Sequence, residues 1–517
     1  MPMPFSDLPQ IADELGAHLP EAMQSGAVQQ VGEMLARMGF ASHLVTALFK
    51  EARLKRPRAK RLAAYYVLLH AALDCLRIDA NGGHRDAAGS LDFLVDYLAG
   101  VVSRGDVEPV ILIEIGRAFA LAGVAPPAAL RDVLSELTDQ RAEKSAQTHQ
   151  SIADLPDIFS ELGDDPFAIH EQVRLSSTAF QLRHRFAMAA GMAMSASPGA
   201  RAAAIGFLLD ADPELAAMVG LFLAERGGES PVDSRTVERL ARLRPWLSPA
   251  RQPPVDAALR TLRRSAQPPA ATAPGRIEAR LATPVDGAGA QSLFVMVKTG
   301  RKMMLIGFLT KLEGGVVDAW AMPDLSRRRA DELLDHMRME ADAMPVSSAY
   351  IETRLADALE GNLRASPPPF GLVQALEVMG TGPLIPKATD FTAMLAEMKD
   401  GSGLADKPVM AADTVLDNML LDTWFEAGDE VDTFLSPIRG RAKRVVAMLE
   451  TYLPARRAAW ISRLVWTARA VSEASPAQPI WPRLAEAARD IAAGKPLAEI
   501  HLMRLVAERS VEASARR

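Results

Sequence analysis

Residues 291–322 (QSLFVMVKTGRKMMLIGFLTKLEGGVVDAWAM) are the one stretch of this 517-residue chain whose pattern demands β-sheet. Turns at Thr299-Gly300-Arg301 and Glu313-Gly314-Gly315 divide it into three apolar runs, the spacing of a β-meander. Alternate side chains of a strand point to opposite faces. Here both faces are apolar, with Met303, Leu305 and Leu309 on one and Met304, Ile306 and Phe308 on the other. Such a strand is central and must be covered on both sides. Residues 276–281 add a leading strand, so three to four antiparallel strands are expected. The covering helices are expected at 326–343, capped by Ser326, and at 347–363, capped by Ser347 or Ser348.

On either side of this module the chain reads as helix. Residues 42–54 place Leu44, Leu48 and Leu54 near one stripe, with Ser42 as N-cap, and residues 57–78 begin with Pro57 and end at Asn81-Gly82-Gly83. Further helices are expected at 88–103, 107–123 and 126–138, with a break at Gly105, and beyond the sheet at 411–426, 438–453, 455–474, 481–493 and 496–513. In residues 201–225 (RAAAIGFLLDADPELAAMVGLFLAE) one apolar helix ends at Asp210-Ala211-Asp212-Pro213 and another starts at once. This tight Asp-Pro turn resembles the helical hairpin of HEAT-type repeats, although no repeat period of 35–45 residues runs through the chain. The fold class is therefore mainly α, with two repeat-like helical arms flanking a central α+β module. The expected regions are 1–138, helical; 153–263, helical hairpins; 264–275, a Pro/Ala-rich linker; 276–380, the α+β module; and 381–517, helical. Residues 139–152 carry no apolar period and read as a linker or an exposed helix.

Chemistry-bearing signatures do not emerge. There is no GxxxxGK[ST] loop, no GxSxG and no HExxH or HxH pair. Residues 79–90 depart from a calcium loop, because position six is His84 and position twelve is Ser90. The single cysteine, Cys75, sits in an apolar helix where its thiol stays protonated. No catalytic residue, metal ligand or cofactor is assigned. The N-terminus has no apolar leader and no run spans a membrane, so a cytoplasmic protein with no membrane association is expected.

Charge supplies the candidate contacts. Residues 50–61 (KEARLKRPRAKR) hold Lys50, Arg53, Lys55, Arg56, Arg58, Lys60 and Arg61 against one acid, and cations this dense repel unless acids or phosphates neutralise them. Two smaller groups are the hairpin tip Lys298, Arg301 and Lys302, and the helix start Arg439, Arg441, Lys443 and Arg444. Arg327-Arg328-Arg329 at a helix N-terminus opposes the macrodipole and would be relieved by an acidic partner. Trp424, Trp460 and Trp466 read as core packing, with an exposed aromatic anchor as the alternative. The reading these features support is a non-enzymatic scaffold or adaptor for another macromolecule, a protein. The alternatives are a nucleic-acid-binding protein using 50–61, against which the net charge of −6 argues, and an unrecognised enzyme with a site near Asp318, Trp320 and Asp324. Nothing in the sequence fixes the oligomeric state.

Overall fold

A computed structural model describes residues 8–24, 26–81, 85–104, 108–134, 136, 163–178, 180–230, 232–268, 275–400, 423–474 and 480–515. The expected linker at 139–152, residues 269–274 of the Pro/Ala-rich segment, residues 411–422, and Gly82, Gly83 and Gly105 lie outside the described residues. The chain forms two compact units: residues 1–233 with 260–266, and residues 234–259 with 267–517.

The first unit contains α1 (Leu8–Ala17), α2 (Leu19–Gln24), α3 (Ala27–Arg37), α4 (Ala41–Ala52), α5 (Ala59–Asn81), α6 (Arg85–Val102) and α7 (Pro109–Leu121). It continues through α8 (Pro166–Ser177), α9 (Leu182–Ala193), α10 (Pro198–Ala204) and α11 (Pro213–Arg226). Helix α5 is its axis, with α1, α3, α4, α6 and α7 packed around it. That role explains its composition. Tyr65, Leu68, Leu69, Ala72 and Leu76 form one buried stripe, and Ala64, Ala71, Leu73 and Cys75, also buried, widen it to more than half of the helix surface. Close approach is made possible where neighbours carry glycine: a Cβ on Gly16 of α1 would lie 2.4 Å from the Lys60 carbonyl oxygen.

Two local expectations are corrected here. Ser42 is not an N-cap: α4 starts at Ala41, and the Ser42 carbonyl accepts the Thr46 hydroxyl at 3.0 Å within the helix. The hairpin at 201–225 forms, but its first limb ends in a 3-10 turn, Ile205–Leu209, instead of continuing as α-helix. Asp212 then caps α11 by accepting the Glu214 and Leu215 backbone N–H groups, as an Asp before Pro at the first helical position should.

The second unit is built on one antiparallel sheet: β1 (Arg276–Ala282), β2 (Ala290–Thr299), β3 (Lys302–Lys311), β4 (Gly315–Leu325) and β5 (Met344–Pro345), in the order β4-β3-β2-β1-β5. The two-residue β5 takes the count past the expected three to four. It was illegible because Met344-Pro345 has no alternation to read. The remaining described helices are α12 (Ser234–Leu243), α13 (Gln252–Ser265, whose residues from Arg260 onward belong to the first unit), α14 (Arg327–Glu340), α15 (Ser348–Asn362), α16 (Gly371–Met379), α17 (Phe391–Asp400), α18 (Asp429–Leu435), α19 (Arg441–Ala447), α20 (Leu453–Ala455), α21 (Arg457–Glu473), α22 (Trp481–Ala492) and α23 (His501–Ala515). A π turn, Met448–Tyr452, joins α19 to α20 in place of the continuous helix expected at 438–453. Residues 423–426, expected to be helical, are turn and coil.

Both faces of the sheet are covered, as the apolar strands require. Helix α14 lays Ala330, Leu334 and Met337 against Leu281, Met296, Met303 and Leu305. Helices α15 and α16 pack on β4. Ser326 caps α14 and Ser347 caps α15, each through its hydroxyl. The edge of β4 is partly closed by a side chain, because the Asn362 amide accepts from the Val316 N–H at 2.8 Å and donates to the Val316 carbonyl at 3.1 Å. Capping an edge in this way suppresses strand addition.

Beneath α15 lies a buried polar set. Arg354 is fully buried and donates from Nε to Gln291 Oε1 at 3.0 Å, while Gln291 donates to the Thr283 carbonyl and to the Tyr350 hydroxyl, both at 2.7 Å. The Tyr350 hydroxyl donates on to the Trp466 carbonyl at 3.2 Å, so the set ties β2, α15 and α21 together. Burial holds the Tyr350 phenol well above its ordinary range. Arg354→Met should remove one member and leave the Gln291 carbonyl oxygen without its donor. The expected loss is about 2 kcal/mol, the scale of stranding one buried acceptor, read by urea denaturation. A variant as stable as the parent would mean the set contributes packing alone.

Candidate functional site

The basic segment 50–61 forms the corner between the end of α4 and the start of α5, and α1 packs beside it. The structure divides its seven cations into two groups. Arg58 and Arg61 are paired with acids of the same unit, Arg61 with its side chain 14% exposed and Arg58 with its side chain still 63% exposed. Arg61 reaches Asp13 Oδ1 from Nε at 2.7 Å and Glu51 Oε2 from Nη1 at 2.9 Å, and it also contacts Asp13 Oδ2 through Nη2. Arg58 reaches Asp13 Oδ2 at 3.0 Å, and its backbone N–H is accepted by Glu51 Oε1 at 2.9 Å. The Arg61 guanidinium holds the Asp13 carboxyl below its usual range. Glu51, the lone acid of the run, is therefore a buried counter-ion, only 5% exposed. Asp13 is the second, supplied by a helix the sequence reading did not assign.

The other five, Lys50, Arg53, Lys55, Arg56 and Lys60, are exposed. For Lys55, Arg56 and Lys60 no ion pair is formed among the described residues. The same corner holds a cleft of ≈ 270 Å³ whose apolar wall is Leu8, Pro9, Ala47 and Leu54. Lys50 stands at its edge and the Glu51–Arg61 pair at its polar side. Tyr65 also lines it, with a ring that is 1% exposed and a phenol raised in pKa by burial. Leu54 is 51% exposed, an apolar side chain set between cations.

The remaining candidates lie in the second unit. Lys298, Arg301 and Lys302 are exposed at the tip of the β2–β3 hairpin, where Thr299 pairs with Lys302 across Gly300 and Arg301. At the start of α19, Arg441 pairs with Glu512 at 2.6 Å and Arg444 donates to the Ile438 carbonyl at 2.8 Å, while Arg439 and Lys443 are exposed. The hairpin packs on β1 and β4, whereas α19 packs on α23 and its own π turn. They are separate elements of the unit, each with its own small group of cations. The arginine triplet at the start of α14 is relieved internally: Arg327 pairs with Asp331 and Glu278, and Arg328 and Arg329 with Glu332. No outside acid is required there.

Of the residues beside the sheet, Asp318 and Asp324 are exposed on the edge strand β4, and Trp320 lies over Gly307, where an added Cβ would meet its indole at 2.3 Å. Trp424, Trp460 and Trp466 are core residues, not exposed anchors, since Trp424 is 1% and Trp460 and Trp466 are 0% exposed. Cys75 is buried with its thiol pushed up by desolvation, as its apolar helix implied.

One titratable group escaped the sequence reading. The β1–β2 loop brings Asp286, raised in pKa by burial, toward Lys311, lowered by burial, and Arg463, whose guanidinium sits 4.1 Å from the Trp460 ring centre. Asp286 Oδ1 accepts the Ala288 and Ala290 N–H groups at 2.9 and 2.8 Å, and Arg463 donates to the Gly287 carbonyl at 2.8 Å. These bonds fasten the loop to α21, so the group works as a structural clamp.

Comparison with known proteins places parts of the chain. Residues 182–266 match the family model described as Y4lR second domain, and residues 406–515 match the Y4lR C-terminal helical domain. The first match opens on the first residue of α9 and closes one residue past α13, and the second closes on the last residue of α23. A protein of Sinorhizobium fredii (strain NBRC 101917 / NGR234), "Uncharacterized protein y4lR", is 26% identical over 245 residues, covering 45% of this chain and 46% of the relative. The alignment thus spans under half the length of the relative. No solved structure matches the chain. The α4–α5 corner lies outside both matched domains. Among the described residues no helix is long and apolar enough to cross a membrane, and no group of three or more His, Cys, Asp or Glu side chains is placed to hold a metal ion.

Proposed function

We propose that this protein is a non-enzymatic helical scaffold that binds another protein through the α4–α5 corner. One observation carries the reading: Lys55, Arg56 and Lys60 are exposed without ion pairs among the described residues, beside an apolar cleft, although acids from α1 and α4 neutralise their neighbours Arg58 and Arg61. The HEAT-like Asp-Pro hairpin of α10 and α11 supports the scaffold character. Exposed cations of this kind steer an acidic partner and set its orientation more than they add stability.

The triple variant Lys55→Glu, Arg56→Glu, Lys60→Glu tests this. All three side chains are exposed, so the fold should change in stability by no more than about 0.5 kcal/mol per site. Purified from its native host, the unaltered chain is expected to bring a stoichiometric partner, and the triple variant to bind it at least about tenfold more weakly. A chain recovered alone at native abundance would refute the scaffold, and equal binding by the variant would refute the corner.

Nucleic acid is the second reading, favoured by the density of cations in 50–61. On that reading the same variant would flatten the dependence of log affinity on log salt by roughly three contacts' worth. The overall charge of −6 and the carboxylates of Asp13 and Glu51 behind the corner favour a protein instead.

A further inference from the structure

We infer that the cleft between α1, α4 and α5 is a socket for one large apolar side chain carried on an acidic protein segment; this rests on the reading of the corner given above. The size of the cleft is the first argument. At ≈ 270 Å³ it falls just below the roughly 300–1,000 Å³ of pockets that enclose a small-molecule ligand or cofactor. It suits one anchoring side chain of the kind that dominates protein interfaces.

The lining is the second argument. Leu8, Pro9, Ala47 and Leu54 offer no hydrogen bond, so an occupant gains there only by burying apolar surface. The polar wall is already spent, because both Glu51 oxygens accept from the Arg58 N–H and from Arg61. That pair gives the socket a fixed side and leaves it little affinity for a free anion. Single-stranded nucleic acid would need an exposed ring on which to stack its bases. The aromatic side chain lining the cleft is Tyr65, which is buried and fills the wall with its edge closed to solvent.

Charge complementarity is the third. Lys50 stands at the socket, and Arg53, Lys55, Arg56 and Lys60, exposed like it, belong to the same chain segment as the lining residue Leu54. The complement of an apolar hole set in a cationic segment is a chain with an apolar residue flanked by Asp and Glu. Leu54 lies half-exposed within the cationic run, so the apolar and charged contacts of such a segment would fall within neighbouring residues.

The test uses the full chain and a short fluorescein-labelled peptide, rich in Glu and Asp with a central Leu-Phe pair, read by fluorescence anisotropy. Replacing the Leu-Phe pair by Ala-Ala is expected to weaken binding at least about tenfold. Leu54→Glu in the chain, an exposed position that folding tolerates, should weaken it to a similar degree. Lys55→Glu, Arg56→Glu, Lys60→Glu should weaken it as well and remove most of its salt dependence. Equal binding of the Ala-Ala peptide would overturn the socket in favour of charge alone. Displacement of the peptide by a single-stranded oligonucleotide at lower concentration would overturn it in favour of nucleic acid. A dimer seen in sedimentation and dissolved by Leu54→Glu would assign the cleft to a second copy of the chain. If the native partner stays bound to the Leu54→Glu chain yet leaves the triple variant, the socket fails while the scaffold reading stands; if no partner is recovered at all, the broader reading has failed.

Discussion

Acidification from pH 7 to about 4 is expected to cost the first unit about 3 kcal/mol through one side chain, His170. Its imidazole is 4% exposed and packs edge-on to Phe207 with ring centres 4.8 Å apart. Gly206 backs it so closely that an added Cβ would lie 2.5 Å from Nδ1. Burial in that slot, aided by the nearby Arg174 and opposed by Glu171 and by a hydrogen bond with the Ala203 backbone, depresses the pKa from 6.5 to about 4. Between those values the unfolded chain takes up a proton that the folded chain refuses. Stability is therefore complete above about pH 6.5 and drains away as pH falls toward 4. Urea titrations across that range, repeated on His170→Leu, measure it. The variant should lose most of the extra slope whatever its absolute stability, and an unchanged slope would assign the acid sensitivity to other groups.

Gly287→Ala is expected to destabilise the second unit by about 3 kcal/mol or more, at the upper end of what overpacking a tight site costs. The new Cβ would lie 1.6 Å from the Thr423 carbonyl oxygen, a backbone atom that cannot rotate away. The same loop is held by four further contacts. Gly287 donates to the Thr423 hydroxyl at 3.0 Å and accepts from Arg463 at 2.8 Å, Val285 donates to the Thr467 hydroxyl at 3.1 Å, and its carbonyl accepts the Trp424 indole at 2.8 Å. A methyl group at 287 must either push Thr423 aside or pull the loop off α21. Either movement disturbs Trp424 and Trp460, whose rings stand 6.0 Å apart, so tryptophan fluorescence reports it. A stability change under about 1 kcal/mol would show that the loop is not held as tightly as these contacts require.

The contrast between those two sites explains what could be read in advance. Neither His170 nor Gly287 stands out in the sequence, because what makes each sensitive comes from Gly206 or Thr423, contacts that no local period records. The sheet did stand out, since a run apolar on both faces between two glycine turns has few other folds open to it. Ser326 and Ser347 were legible as caps because capping is decided within four residues. Ser42 misled for the complementary reason: chain entry into α4 is set at Phe40, and the serine falls inside the first turn.

The basic segment shows the division most clearly. Sequence alone determined that seven cations gather at one helix corner, that a central sheet must be covered on both faces, and that the flanking regions are helical. Which cations remain available was decided by the tertiary structure, through an ion pair between Arg61 and Asp13, 48 residues apart, and through the burial of Glu51. The physical reason is one of range. Backbone periodicity is a short-range property and is written into neighbouring residues, whereas charge neutralisation depends on distances through space that exist only once α1 has packed against α5.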